Sequence, residues 1–240
     1  MKVHITRVAA SLLLGVALAL LLAAQPQTTK SAGDKLIAID VLLQPDQTMV
    51  ARANAINAKL RSNYPEGYSL DATHAPHVTM LQCFVRAKDF DAVTAAITKV
   101  LAAERPGALQ LKATGLLYEN WNGVAITAIV VERTPELVQL HQKVVDAVAP
   151  FSGSGGTEAA FIDTPPGAEI VPYVNSFVHK SSGAKYFPHV TAGTATEAFV
   201  KQMKAEPFEA ITFHPVGVAI YQLGNFGTAS KKLKEWDLKR

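Results

Sequence analysis

Pro76-His77-Val78-Thr79 and Pro188-His189-Val190-Thr191 are one tetrapeptide written twice, 112 positions apart. The first opens the β-rich run HVTMLQCFV, His77 to Val85, and the second follows Tyr186-Phe187. In a strand, side chains alternate between faces, so residues i and i+2 point the same way. His77 and Thr79 then share one face while Val78 is buried on the other. His189, Thr191 and Val190 repeat that arrangement. Each copy presents an imidazole beside a hydroxyl. Two copies brought together would set two imidazoles and two hydroxyls around one small group.

Outward from the motifs, the chain alternates strands and helices. Leu36 to Leu43 (LIAIDVLL) is apolar and β-rich and predicts a first strand. Asp46 is placed to cap a helix over Gln47 to Arg61, with Val50, Ala53, Ile56 and Leu60 on one face. Asp89 is placed to cap a helix through Leu101. Leu109 to Leu117 and Val124 to Glu132 flank Glu119-Asn120-Trp121-Asn122-Gly123 and predict a hairpin. Thr134-Pro135-Glu136 opens a helix to about Ala149, with proline at its first position. Ser152 to Gly156 (SGSGG) reads as a flexible joint. Phe161 to Lys185 carries Pro165-Pro166 and Pro172, and the sequence leaves its elements open, short strands among the options. Thr196 to Lys204 predicts a helix, Ile211 to Leu223 one strand, and Thr228 to Leu233 a final edge strand.

The order of elements after His77 returns after His189: strand, helix, strand, Asn/aromatic/Gly turn, strand. The turns at Trp121-Asn122-Gly123 and Asn225-Phe226-Gly227 fall at matching places. The predicted fold class is α+β. It is bilobal, with two pseudo-symmetric antiparallel-sheet lobes and flanking helices around a central groove, each lobe supplying one histidine strand.

A lone H-x-[ST] is a common pattern; His4-Ile5-Thr6 and His179-Lys180-Ser181 satisfy it too. The repeated tetrapeptide, the duplicated element order and the aromatic–Pro lead-in Tyr186-Phe187-Pro188 are more specific. With them the chain resembles the two-histidine (2H) phosphoesterase superfamily over residues 36–233. That superfamily includes RNA 2′,3′-cyclic phosphodiesterases and the bacterial proteins called 2′–5′ RNA ligases. Its signature is two H-x-[T/S]-apolar motifs about a hundred residues apart. Met80 supplies the apolar residue after the first motif; Ala192 followed by Gly193 departs mildly from it after the second. The resemblance implies the bilobal fold, both motifs in the groove, no required metal, and His77, Thr79, His189 and Thr191 as catalytic residues.

The chemistry agrees with those residue types. Cleaving a cyclic phosphodiester needs one proton taken from the attacking water and one given to the leaving oxygen. Two histidines titrating near neutrality can do both, one neutral and one protonated. Threonine hydroxyls can donate to phosphoryl oxygens where charge accumulates. Tyr186 and Trp121 are the leading candidates to stack on a base. Arg86 and Lys185 are available for phosphate, although surface charge explains each as well.

The other histidines have simpler readings. His74 precedes His77 in H-x-x-H spacing without an evident third ligand, so it reads as loop, not metal site. His141 reads as a solvent-facing or capping residue of its helix, His179 as loop, and His214 before Pro215 as a strand edge. Cys83, the single cysteine, reads as a buried strand thiol and excludes an intrachain disulfide. No GxxxxGK loop and no nucleophile elbow occur, which disfavours nucleoside triphosphate use and serine hydrolysis.

Residues 1–24 have the layout of a secretory signal peptide: Lys2 and Arg7, then an uncharged apolar run from Val8 to Ala24. An uncleaved anchor is the alternative, and would be the protein's one membrane attachment. Residues 25–34 read as a polar tail, and 35–240 as the two-lobed domain. The expectation is a periplasmic or secreted protein. Taking Lys2 and Arg7 from the 23 basic residues leaves 21 against 20 acidic. A mature chain so near neutrality lacks the electrostatic footprint of a duplex DNA binder. The expected partner is a nucleotide or an RNA end, bound by a monomer without a cofactor. An exported nucleotide-binding protein without catalysis is the competing reading of the same groove.

Overall fold

The computed structural model describes residues 35–238, apart from 72, 122, 163–166, 168 and the side chain of Trp121. The expected signal segment 1–24 and the tail 25–34 lie outside the described residues. Among the described residues eight strands form two antiparallel sheets. β1 (Leu36–Pro45), β2 (Val78–Arg86), β7 (Pro215–Leu223) and β8 (Ala229–Asp237) make sheet A in the order β2-β1-β7-β8. β3 (Leu111–Trp121), β4 (Val124–Val131), β5 (His189–Ala195) and β6 (Ile211–Phe213) make sheet B in the order β5-β4-β3-β6.

The expected lobes exist, but each mixes both halves of the sequence. The hairpin that follows His77 in the chain, β3–β4, pairs with the His189 strand β5. The hairpin that follows His189, β7–β8, lies in the sheet of the His77 strand β2, with β1 between them. The duplicated order of strand, helix and hairpin holds, with the short β6 inserted in the second repeat, and the two repeats exchange motif strands. β2 and β5 are therefore edge strands of different sheets, and they lie side by side.

One residue ties the exchange down. Asp46 caps α1 (Gln47–Asn63) as expected, Oδ1 accepting from Thr48 N at 3.0 Å and Met49 N at 3.4 Å. Its Oδ2 accepts from His214 N at 2.9 Å, and its own N–H donates to His214 O at 2.8 Å. His214 Nδ1 also bonds Leu109 O at 2.9 Å. This clamp sits where the run Ile211 to Leu223, expected as one strand, breaks at His214-Pro215. β6 stays on sheet B and β7 crosses into sheet A.

α1 buries Met49, Ala53, Ile56 and Leu60 and packs along β5. α2 (Phe90–Glu104) is not capped by Asp89, whose carboxylate bonds Arg86 instead; a 3₁₀ turn, Ala87–Asp89, leads into it. α3 (Pro135–Val148) is capped by Thr134 Oγ1 and packs on α2 and β2. α4 (Ile170–Ser181) occupies part of the stretch that the sequence left open. Pro172 sits in its first turn, where a missing N–H costs nothing, and Ile170, Val174 and Phe177 face inward. α5 (Glu197–Ala205) packs on sheet B. The glycine-rich stretch at 152–156 is no free joint. Ser152 bridges Val85, Gly153 N donates to Phe84 O at 2.8 Å, and a Cβ on Gly156 would collide with the Phe84 ring. Among the described residues no helix is long and apolar enough to cross a membrane.

Candidate active site

The sequence asks first for two strands that each turn a histidine and a threonine one way. β2 and β5 do so, and share a finer feature. The register of β2 on β1 slips after Thr79, which faces Leu42 while Leu81 faces Val41, leaving Met80 as an extra residue. The register of β5 on β4 slips at the same point: Thr191 faces Ala128, Gly193 faces Thr127, and Ala192 is extra. Each motif ends in a β-bulge, a device that re-aims side chains next to sites.

Both bulges are anchored from beneath. Tyr186 donates its hydroxyl to Thr79 O at 3.2 Å, with Met80 Sδ 3.4 Å away. On the other side Asn57 of α1 donates to Ala192 O at 2.9 Å and Tyr68 O at 3.0 Å, and accepts from Leu70 N at 3.2 Å. Gly193 has a φ of 145°, and a Cβ there would come within 2.7 Å of Asn57 Nδ2. The Ala-Gly departure after the second motif thus makes room for Asn57.

The two imidazoles are held identically. His77 Nδ1 lies 2.8 Å from Ala75 O, and His189 Nδ1 lies 2.9 Å from Phe187 O. A carbonyl only accepts, so each Nδ1 carries a hydrogen. Each Nε2 is then the ring nitrogen that can take or give a proton. Burial and the nearby charge of His77 lower the pKa of His189, against upward pulls from the Phe187 carbonyl, Glu119 and Asp40.

Asp40 is the member that the sequence reading passed over. It is fully buried on β1, opposite Gln82. Its Oδ2 accepts from Gln82 Nε2 at 2.8 Å and Thr79 Oγ1 at 3.2 Å, and lies 3.8 Å from His77 Nε2. Burial raises its pKa above the usual carboxylate range; the charge of His77 and the bonds from Gln82 and Thr79 pull it back. A signal was present: it is the one charged residue in LIAIDVLL.

A family model described as the 2′-5′ RNA ligase superfamily matches residues 45–222. The chain belongs to this superfamily of two-histidine phosphoesterases. No curated protein is detectably similar in sequence. TT0787 of Thermus thermophilus shares the fold at 15% identity and a TM-score of 0.50, over 84% of this chain and 98% of that one. Weaker likenesses are E. coli LigT complexed with 3′-AMP (12% identity, TM-score 0.40, 86% and 100% covered) and the MHV ns2 PDE domain (10%, 0.43, 82% and 99%).

Within this two-histidine frame, His77 and His189 lie close enough to feel each other's charge, Thr79 bonds Asp40 beside His77, and Thr191 shares the face of His189 on the neighbouring edge strand β5. Tyr186 does not join them as a stacking surface. It is 3% exposed, and its ring is stacked on His141 at 3.8 Å. No ligand can reach its face; it supports the first motif instead. His141, expected to face solvent or cap its helix, is buried for the same reason. Trp121 ends β3, and its side chain lies outside the described residues. Arg86 is committed to Asp89 and to the carbonyls of Ser152 and Pro150, and Lys185 to His179 O, so both serve the scaffold. His74 stacks on Tyr68 and pairs with Asp71.

The exposed aromatics lie elsewhere. Phe187 is 52% exposed, its ring 6.3 Å from that of His189. Tyr173 of α4 is also exposed, and burial of its hydroxyl end, with the charges of Asp40 and Glu119, pushes its pKa up to about 12. Phe187 was within reach of sequence reasoning. Alternation along the lead-in puts it on the same face as His189, and Tyr186 on the other.

Proposed function

We propose that this protein hydrolyses cyclic phosphodiesters, nucleoside 2′,3′-cyclic phosphates or RNA ends that carry them, by paired-histidine acid–base catalysis without a metal. The observation that supports this best is the matched pair of Nδ1–carbonyl bonds. They fix both tautomers with Nε2 directed to reaction, as general acid–base catalysis requires. One neutral Nε2 takes a proton from water as its oxygen attacks phosphorus. The protonated Nε2 opposite gives its proton to the departing ribose oxygen. Thr191 donates to a phosphoryl oxygen; Thr79 does so by exchanging its 3.2 Å bond to Asp40. Phe187 and Tyr173 offer faces for a nucleobase. With export directed by residues 1–24, the substrate is met outside the cytoplasm.

The test is turnover of a 2′,3′-cyclic nucleotide panel in EDTA, beside His77→Ala and His189→Ala. Loss of one proton-transfer role is expected to slow each variant by about 10²–10⁴-fold while the fold is kept. Turnover that survives both single changes, or that vanishes in EDTA, refutes the mechanism.

A further inference from the structure

The two halves of the site are related by their pairing registers, and one pair of counterparts differs in charge. Thr79 and Gln82 of β2 face Leu42 and Asp40 of β1; Thr191 and Thr194 of β5 face Ala128 and Ile126 of β4. Position by position, the counterpart of Asp40 is therefore Ile126. The histidines make the same backbone bond, yet a buried carboxylate stands 3.8 Å from the Nε2 of one and an isoleucine holds the matching place beside the other. The carboxylate on sheet B, Glu119, lies one strand further over, opposite Ile126, and is solvent-exposed.

We propose that Asp40 is a positioning residue that makes the two histidines unequal, holding the proton on His77 as the donor and leaving His189 as the acceptor. This rests on the paired-histidine reading above. A buried carboxylate is costly unless a cation compensates it, and among the described residues its ion pair is with His77. The same attraction favours the imidazolium of His77 over that of His189. Besides the histidines, the ionisable groups that feel the charge of Asp40 are Tyr173 of α4, Tyr186 and, on the opposite face of β2, Cys83. Burial raises all three, so they stay neutral and do not compete for its charge. His189, the acceptor, is lowered by burial and by His77.

The steps balance. As water oxygen bonds to phosphorus, its proton passes to His189 Nε2. As the ribose oxygen leaves phosphorus, it takes the proton from His77 Nε2. His189 ends charged and His77 neutral, and exchange with solvent restores the start. Asp40 itself touches no reacting atom; it sets which ring begins with the proton.

The experiment is nitrogen-15 NMR of the ring nitrogens in the folded, ligand-free chain across pH, for wild type and Asp40→Asn. Asparagine keeps an oxygen for Thr79 and Gln82 but no charge. In wild type, His77 is expected to hold the larger imidazolium fraction throughout. In Asp40→Asn that excess over His189 is expected to shrink, because the neighbouring charge is gone. A wild-type His189 more protonated than His77 overturns the proposal without any variant, and so does a His77 transition unmoved in Asp40→Asn. With 2′,3′-cyclic AMP as substrate, the alkaline limb of kcat/KM is expected to move down in Asp40→Asn. A uniform loss with both limbs in place would mean a structural role only, and overturns it too. Absence of any turnover would count against the phosphodiesterase reading, while the NMR result still decides Asp40.

Discussion

His141 gives the folded state a pH dependence that can be worked out. The ring has no exposed surface and lies flat on Tyr186, at 3.8 Å and 10° between planes. Burial lowers its pKa from 6.5 to about 4, and the Arg133 charge adds to the effect against a pull from the Met80 backbone. The folded state thus binds fewer protons than the unfolded chain between about pH 4 and 6.5. Stability from the neutral ring is complete above pH 6.5 and falls as pH drops towards 4. Between pH 7.5 and 5.0 this one group is expected to cost about 2 kcal/mol, and about 3 kcal/mol in full below pH 4. His141→Phe keeps a flat ring against Tyr186 and removes the titration. Urea unfolding at both pH values reads the difference. With a slope of about 2 kcal/mol per molar, the wild-type midpoint should fall about 1 M further than the variant's. His189 and Asp40 titrate in both proteins and cancel in the comparison. Equal losses in the two would refute a buried neutral His141. Because Tyr186 holds the Thr79 carbonyl, the same protonation should loosen the first motif before the protein unfolds.

Asp46→Ala should remove both the α1 cap and the acceptor for His214 N, costing about 2 kcal/mol together, or a Tm lower by about 4–8 °C in calorimetry. A shift under about 1 °C would mean the crossover needs no clamp. Phe187→Ala should raise KM for a cyclic nucleotide by about 5-fold to 100-fold, the worth of one stacked base, with kcat little changed. An unchanged KM would remove Phe187 from substrate binding.

What the sequence determined by itself was local. Alternation along a strand puts His77 with Thr79 and His189 with Thr191 whatever surrounds them. Side-chain caps at Asp46 and Thr134 act within three residues, so they could be read directly. The resemblance carried by the repeated motif implied the fold class for the same reason: both copies are short and contiguous. The failures have a common cause. Asp89 was placed like a cap, but Arg86 draws its carboxylate away. Pro172 left its stretch open, because a proline is neutral in a first turn only if the helix begins just before it. His141 and Tyr186 looked accessible until they were packed on each other. The run Ile211 to Leu223 looked like one strand because periodicity does not say which sheet a strand joins. Asp40 stood out as a charge in an apolar strand, but its meaning depends on Thr79 and Gln82 across the sheet and on Ile126 in the other one. Strand pairing over a hundred residues and more is set by which apolar faces bury together, and that is fixed only when the whole chain folds. The motif residues came from local stereochemistry; the exchange of motif strands between the repeats, and the inequality of the two histidines, came from the tertiary structure.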